Sequence, residues 1–469
     1  MHLGALRTAL FNYLYARKHG GYFALRIEDT DQKRLVDGSI EQILRTLNWT
    51  NMNHDDYKVQ SERSSLYLEH ANFLLEHNHA YKCYCTSERL SFLRGGQSAK
   101  YDRRCLSLTP EEIQELEDSK ASFTIRMKIP PGKSEAPKEV TPGKKFGFTK
   151  FEDVVFGKIE IDNDTIDDQI IVKSDGLPTY HLANVVDDHD MNVTHVIRGM
   201  EWIPSTPKHV ILYNMFGWKP PQFSHLPLLT TIDNQKLSKR HGHASVDWYR
   251  EQGFLPSALI NFVALLGWNP GTDKEVFLDF NELVSSFDID RVGRGNSVVD
   301  LKKLEWLNAQ HIRGMIDADI DGCMKTFRDL MCEKIGTEYD LLNNDEYLKK
   351  VLTTVKDRMK HLDDFKNFDY FFKPINFDSD GAKLFYENVI SKISNKSEIL
   401  SSLSKELTAC DVWTHENIGA AINQCKTNGL NYKQCIQILR YYTSGSSVGA
   451  SINHMLEALG KKKVIERLQ

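Results

Sequence analysis

The sequence lacks the features that mark a membrane protein or a secreted, disulfide-bonded scaffold. No apolar run in its 469 residues reaches about 18 residues, the length that a membrane-spanning helix requires. Its eight cysteines are scattered along the chain, so we expect no disulfide framework and favour a reducing compartment. The net charge of −5 shows no excess of positive charge for nucleic acid, although a near-neutral total can conceal a basic face.

What the sequence does contain is an ordinary globular composition, with 41% apolar and 26% charged residues, and a length that predicts roughly two to four domains. Apolar residues recur at helical spacing over residues 4–18, at Leu6, Leu10, Phe11 and Leu14. A short apolar strand in YFALRIEDTD and a second helix over 37–48 follow. Alternating helices and strands are typical of a doubly wound α/β domain.

The predicted secondary-structure pattern changes after this first segment. Residues 73–175 mix strand-like pieces such as FTIRMKI with a Lys- and Pro-rich loop, which indicates an α+β insertion. The α/β pattern then returns with a helix in PTYHLANVVDD, the strand VTHVIR and the helix KHVILYNMFGW. After about residue 306 the pattern is almost wholly helical, and a single helix is predicted over 346–362. The first domain is therefore predicted to be split by the insertion and followed by an all-α region.

Two short motifs carry the chemistry. Gly4 at a helix start lets a phosphate approach the backbone, and His2 offers a hydrogen-bond donor beside it. The run KLSKR, residues 236–240, places three cations in one loop, which suits a triphosphate that gains charge as pyrophosphate leaves. Alone, the first is usually a solvated terminal histidine and the second a solvated basic loop.

Together, HLG at a helix start and KLSKR about 230 residues later resemble the HIGH and KMSKS signatures of class I aminoacyl-tRNA synthetases. The segments RTALFNYLYAR, LRIEDTD, PTYHLANVVDD, VIRGMEW and STPKH are similar to the glutamyl-tRNA synthetases of bacterial and organellar type. The resemblance implies a class I Rossmann-like catalytic domain split by an α+β insertion, followed by an all-α anticodon-binding region. The domains implied are 1–72 and 176–230 for the catalytic halves, 73–175 for an acceptor-stem-binding insertion, 231–305 for a stem-contact region with KLSKR, and 306–469 for the anticodon-binding helices.

The resemblance also implies a role for individual residues. Arg198 matches the position that binds the side-chain carboxylate of glutamate, a task that suits the planar guanidinium fork. Glu28 matches the contact to the α-amino group. The glutamate pocket is completed by Tyr180, Asn184 and Trp202. The ATP site is implied to comprise His2, Gly4, Glu201, Lys236, Leu237, Ser238, Lys239 and Arg240, with His2, Lys236 and Lys239 as the catalytic residues.

The implied reaction is ATP-dependent formation of glutamyl-adenylate, followed by transfer of glutamate to the 3′ end of tRNA(Glu). The expected partners are L-glutamate, ATP with Mg²⁺, and tRNA(Glu), with tRNA(Gln) left open. A monomer without membrane contact is expected, located in the mitochondrial matrix or alternatively in a bacterial cytoplasm. The competing hypothesis is a truncated, catalytically inactive tRNA-binding paralogue. A glutaminyl-tRNA synthetase and a short paralogue that modifies a tRNA base both fit the helical C-terminal region poorly.

Two departures from the family pattern stand out. Cys83 and Cys85 form a CxC and Cys105 follows, but Ser107 stands where zinc-binding relatives have a histidine, so we expect no zinc. The family also has a strand before the HIGH-like turn, with an Arg-Phe-Ala-Pro-Ser-Pro-Thr-Gly type segment. The sequence is expected to begin at an internal methionine, and restoring roughly a dozen residues of strand and turn is expected to improve glutamate binding.

Overall fold

The computed structural model describes residues 1–31, 37–95, 100–135, 147–237 and 242–469. These residues form two compact units, one of Met1–Trp248 with Val263–Val299 and one of Tyr249–Phe262 with Asp300–Gln469. No helix among the described residues has the length and apolar character needed to cross a membrane.

The first unit begins with the predicted alternation of helix and strand. Its elements are α1 (Leu3–Lys18), β1 (Ala24–Ile27), α2 (Ser39–Trp49) and β2 (Asp56–Val59). The two strands are parallel, and Ala24 lies opposite Asp56. Helix α1 buries the face on which Leu6, Leu10 and Leu14 lie, so the predicted helix and its apolar face are confirmed.

The next segment contributes to two different sheets. Its elements are α3 (Ser64–Glu76), β3 (Ala80–Cys83), α4 (Ser87–Gly95), α5 (Pro110–Asp118), β4 (Thr124–Met127), β5 (Phe148–Asp153), β6 (Gly157–Asp162) and β7 (Ile170–Val172). Strands β3, β4 and β7 form an antiparallel sheet. The hairpin of β5 and β6 instead joins a four-stranded sheet with strands from the following α/β segment.

That α/β segment positions the residues of interest. Its elements are α6 (Tyr180–Asp190), β8 (His195–Gly199), α7 (Thr206–Met215), β9 (Gln222–Leu226), β10 (Leu229–Thr230), α8 (Val246–Glu251), α9 (Pro256–Ala264), α10 (Phe280–Ser286) and β11 (Ser297–Val298). The four-stranded sheet has the order β6-β5-β9-β8. Strands β8 and β9 are parallel, with Arg198 opposite His225, and β5 meets β9 at Asp153 and Phe223. This register places Arg198 beside His225 near the C-terminal ends of β8 and β9, and the end of β5 beside β9.

Residues 300–469, all of which the structure describes, contain helices and no strand. The α-helices are α11 (Leu301–Ala318), α12 (Ile320–Ile335), α13 (Asp345–Val355), α14 (Asp380–Asn388), α15 (Lys396–Thr408), α16 (His415–Thr427), α17 (Tyr432–Ser444), α18 (Ile452–Leu459) and α19 (Lys461–Leu468). The predicted order, an α/β part followed by an all-α part, is confirmed.

The single helix predicted over 346–362 is wrong beyond Val355, where α13 ends. The carboxylate of Asp364 accepts hydrogen bonds from the backbone N–H of Lys360 at 2.7 Å and of His361 at 2.9 Å. These bonds cap a new 3-10 helix, Leu362–Phe371. The two N–H groups therefore do not donate to backbone carbonyls of a continuing α-helix. Met359 is nevertheless buried. The apolar spacing therefore predicted the burial of this residue correctly but its helical conformation incorrectly.

Candidate active site

A cavity of about 1060 Å³ lies in the first unit and is lined by residues from distant parts of the chain. The predicted site residues that line it are His2, Gly4, Glu28, Tyr180, Asn184, Arg198, Glu201, Trp202, Lys236 and Leu237. Ser238, Lys239 and Arg240 lie outside the described residues. The structure therefore brings together every predicted site residue that it describes, apart from the three cysteines, which lie elsewhere in the first unit.

The HLG turn opens α1 with a side-chain cap. Nδ1 of His2 accepts a hydrogen bond from the backbone N–H of Gly4 at 3.0 Å, so Nε2 carries the proton of the neutral ring. A Cβ on Gly4 would stand 3.3 Å from that Nδ1, a tighter fit than a side chain usually accepts. The turn is thus a helix N-terminus at the wall of the cavity, which favours an anion there.

The hairpin that leads into KLSKR ends beside this turn. Leu237 donates from its backbone N–H to Leu229 at 2.9 Å, and Lys236 forms a bridge with Thr230. Beyond the KLSKR segment, Ser245 forms a backbone bridge with His2. The exposed side chain of Lys236 and the start of α1 therefore lie at one cavity, as a shared triphosphate site would require.

Sequence reasoning missed the cation Arg7, which also lines the cavity. Its guanidinium is buried and donates to the carbonyl oxygens of Pro227 and, at 3.3 Å, of Leu266. Burial lowers its pKa to about 10, and Glu201 opposes that shift. Arg7 belongs to the RTALFNYLYAR segment, so a signal for it was present in the sequence.

Arg198 is a second buried arginine in the site. Only 8% of the residue is exposed. Its Nη1 donates to the Tyr180 hydroxyl at 3.2 Å, and the ring of Tyr180 lies 4.5 Å from that of Trp202. Burial raises the pKa of Tyr180, so its hydroxyl stays protonated. The three residues form an aromatic-walled recess with one cation, which suits a small ligand carrying a carboxylate.

Three polar residues without an assigned role surround the same guanidinium. They are Thr206, His209 and His225, all buried. Burial, followed by the charge of Arg198, lowers the pKa of His209, which keeps its ring neutral. Thr206 and His209 lie in the STPKH segment, whereas nothing local to His225 marked it.

Glu28 also lines the cavity, beside another arginine that sequence reasoning missed. Nη2 of Arg26 lies 3.2 Å from Glu28, and its Nη1 donates to Asp188 at 2.8 Å. The amide of Asn184 completes the group by accepting from Arg26 at 2.8 Å and donating to Asp188 at 3.3 Å. Burial raises the pKa of Asp188, and Arg26 opposes the rise. Two carboxylates against one guanidinium leave this side of the cavity acidic, which favours an ammonium group.

The three cysteines converge elsewhere in the first unit. The Sγ atoms of Cys83, Cys85 and Cys105 lie within 4.8 Å of one another. The Tyr101 hydroxyl is 3.4 Å from the Sγ atoms of Cys83 and of Cys85. A hydrogen bond from Cys105 lowers the pKa of the Cys83 thiol. The three sulfurs supply three of the four donors of a structural zinc site, and the Tyr101 hydroxyl, which the CxC motif did not reveal, lies beside two of them. The prediction that no zinc binds stays a prediction.

Comparisons with known proteins agree with the fold and with the motifs. Residues 1–306 match the family described as "tRNA synthetases class I (E and Q), catalytic domain", and 324–469 match "Anticodon binding domain". Proteins named glutamate–tRNA ligase from Chlorobaculum parvum and from Chlorobium luteolum are each 38% identical, over 100% of this chain and 94% of the relative.

Solved structures give the same result. The chain matches a glutamate tRNA ligase from Elizabethkingia meningosepticum, crystallised in complex with its amino acid, with a TM-score of 0.83 and 31% identity. A glutamate-tRNA synthetase from Elizabethkingia anophelis matches with a TM-score of 0.80 and 31% identity. Both matches cover 100% of this chain and 96% of the other. The resemblance inferred from the motifs is confirmed, and a truncated paralogue is not favoured: the chain belongs to the glutamate–tRNA ligases, enzymes of the class I aminoacyl-tRNA synthetase family.

Proposed function

We propose that this chain activates L-glutamate with ATP and transfers it to the 3′ end of tRNA(Glu). One observation carries the proposal: a single cavity holds the buried Arg198 beside Tyr180 and Trp202 and also the capped turn of His2 and Gly4. The first group suits a side-chain carboxylate and the second suits a phosphate.

Glutamate would bind with its two ends distinguished by charge. Its side-chain carboxylate would meet Arg198, and its ammonium group would meet the acidic side of the cavity at Glu28. Glutamine would present a neutral amide to Arg198 and leave that buried charge poorly paired, which supports discrimination against it. Tyr180 and Trp202 would wall the aliphatic stem, and Asn184 would hold the Arg26 group in place.

ATP would occupy the other half of the cavity. The start of α1 at His2 and Gly4 would receive the phosphates, and Glu201 would lie at the nucleoside. Lys236, with Leu237 and the residues Ser238, Lys239 and Arg240 that follow it, would face the triphosphate. Mg²⁺, which we expect on the ATP phosphates, would neutralise part of their charge.

The reaction then needs positioning and charge stabilisation more than covalent catalysis. The α-carboxylate of glutamate attacks the α-phosphate, a P–O bond to the β-phosphate breaks, and pyrophosphate leaves with its negative charge held by Lys236 and Lys239. The terminal ribose hydroxyl of tRNA then attacks the activated carbonyl and displaces AMP. We further propose that residues 73–175 contact the acceptor stem, that 231–305 contact the stem beyond it, and that 306–469 bind the anticodon.

The test is glutamylation of purified tRNA(Glu), with ATP–pyrophosphate exchange measured in the presence of glutamate and tRNA. We expect both reactions in the wild-type chain and a loss of glutamate use in Arg198→Ala. Absence of exchange and of charging, with tRNA binding retained, would instead support the inactive tRNA-binding paralogue. Charging assays with purified tRNA(Gln) decide whether the specificity is strict or relaxed.

The cellular location and the oligomeric state are also proposals. The similar proteins are bacterial, which favours the cytoplasm of a bacterium and gives no support to the mitochondrial matrix. Size-exclusion chromatography with light scattering tests the expected monomer.

A further inference from the structure

The guanidinium of Arg198 forms hydrogen bonds with side chains that do not line the cavity. Its Nε donates to Nε2 of His225 at 3.1 Å, and its Nη2 donates to Oγ1 of Thr206 at 2.8 Å. Its Nη1 also contacts Nδ1 of His209 at 3.2 Å. A guanidinium has only N–H donors, so each of these partners must present a lone pair to it. The orientation of Arg198 therefore depends on the protonation pattern of its neighbours.

Asp153 sets that pattern for His225. Its Oδ2 lies 2.6 Å from Nδ1 of His225, and neither side chain is exposed. With the Nδ1 proton donated to the carboxylate, Nε2 is left as an acceptor that faces Arg198. Burial, helped by the charge of Arg198, lowers the pKa of His225, which keeps the ring neutral although Asp153 opposes the shift.

The carboxylate of Asp153 has two separate tasks. Its Oδ1 accepts from the backbone N–H groups of Val155 at 3.0 Å and of Phe156 at 2.9 Å, which orders the turn after β5. Ordering the turn needs only that oxygen. The second oxygen is directed at His225 on the neighbouring strand, where it faces the ring Nδ1 and also accepts from the backbone N–H at 3.1 Å, so its contacts are not explained by the turn.

We propose that Asp153 and His225 are positioning residues for glutamate selection: Asp153 fixes the tautomer of His225, and His225 fixes the orientation of the Arg198 guanidinium toward the substrate carboxylate. Neither residue touches the substrate. The proposal rests on the proposed function, because it takes Arg198 to be the carboxylate-binding group. It adds a relay that runs across three adjacent strands, from the end of β5 through β9 to β8.

Two substitutions break the relay at different points and keep much of the surrounding structure. In Asp153→Asn, the amide oxygen can still accept from the turn, but an N–H group now faces Nδ1. His225 must then carry its proton on Nε2, where it opposes the N–H of Arg198. In His225→Asn, the short amide can still donate to Asp153 but offers no acceptor at the position of Nε2. Asp168→Asn is the control for loss of a buried carboxylate: Asp168 is equally buried, accepts from Tyr81, pairs with Arg103 at 2.9 Å and does not line the cavity, and its folding is checked by its unfolding transition before kinetics.

The readout is aminoacylation by the full chain, with KM and kcat measured separately for glutamate and for ATP. We expect each relay variant to raise the KM for glutamate about ten- to thirtyfold, the lower part of the range for loss of a hydrogen bond to a charged group. The preference for glutamate over glutamine in kcat/KM should fall in parallel, and the KM for ATP should stay within about twofold. The double variant should be no worse than the more severe single variant, because both act through one contact. The control should keep the wild-type KM for glutamate.

A measurement on the wild-type chain tests the proposal without relying on a variant. In ¹⁵N-histidine NMR, the signal that disappears in His225→Asn should show a neutral ring protonated at Nδ1. A ring protonated at Nε2, or wild-type KM and discrimination in two folded relay variants, would overturn the proposal. If Arg198→Ala also used glutamate normally, the assignment of Arg198, and with it the proposed glutamate site, would be the part that failed.

Discussion

Replacing Asp187 with asparagine should destabilise the first unit far more than the same change at Asp190, one turn along α6. The side chain of Asp187 is fully buried and collects several donors. It accepts from Gln60 at 2.9 Å, from Arg63 at 3.0 Å and from the Tyr67 hydroxyl at 2.9 Å. Nε of Arg26 lies 3.7 Å away. An asparagine would carry no negative charge to pair with the arginines. Its NH2 group would also face hydrogen-bond donors at the position where a carboxylate oxygen accepts from them.

The two positions share a partner and differ in burial, which sets the expected magnitudes. Breaking a buried ion pair on one side costs about 3–5 kcal/mol because the remaining charge is left uncompensated. We expect about 3 kcal/mol for Asp187→Asn, since lost repulsion with Asp188 offsets part of the cost. Asp190 pairs with Arg63 at 2.6 Å but is 48% exposed, so its substitution should cost less than about 1 kcal/mol.

The assay is urea unfolding of the full chain, followed by tryptophan fluorescence. Because the chain has two compact units, we assign to the first unit the transition that glutamate and ATP shift upward, since a ligand stabilises the unit that binds it. About 0.5 M salt should remove the effect at Asp190 and leave most of the effect at Asp187. Equal losses at the two positions, or a loss below about 0.5 kcal/mol at Asp187, would refute the argument that burial makes the difference.

Three further predictions concern other parts of the chain. His311 is buried, and burial lowers its pKa to about 4, so between about pH 6.5 and 4 the unfolded chain binds a proton that the folded chain does not. The free energy of unfolding should therefore decrease as the pH is lowered, by about 2 kcal/mol from this group between pH 7 and pH 5. Unfolding midpoints measured across that range should show a smaller pH dependence in His311→Gln. Phe327 is fully buried and packs edge-on against a neighbouring ring, so Phe327→Ala should cost about 3–5 kcal/mol in thermal or urea unfolding, whereas Leu384→Ala, at a 59% exposed position, should change stability by less than about 0.5 kcal/mol. The expectation of no zinc rests on the missing fourth ligand, so metal analysis of the purified wild-type chain should find well below one equivalent; about one zinc per chain that is lost in Cys105→Ser would overturn it.

Much of the site could be predicted from the sequence because its key residues stand at the ends of short elements. The turn at His2 and Gly4 and the strand end at Arg198 are defined by their immediate neighbours, and such local patterns can be recognised in the amino-acid sequence. The segment around Glu28 was readable for the same reason. Residues such as Thr206 and His209 lay inside a recognised segment, but their contacts with Arg198 could not be known before α7 was placed in the fold.

The helical region shows the limit of periodicity. The spacing from Leu348 to Met359 correctly identified buried positions, because it reports which side of the chain avoids water. It could not report that α13 ends at Val355, because the new cap depends on Asp364, beyond the predicted helix face.

The sequence by itself determined the family, the α/β-then-α order and the set of residues that line one cavity, because these follow from local chemistry and short-range patterns. Only the tertiary structure decided what holds those residues. Asp153 and His225 are 72 positions apart, and neither carries a local signal that relates it to Arg198. They meet because β5, β9 and β8 pair side by side, and strand pairing depends on the packing of the whole unit rather than on neighbouring residues. The same reason explains why Tyr101 was not foreseen beside the three thiols.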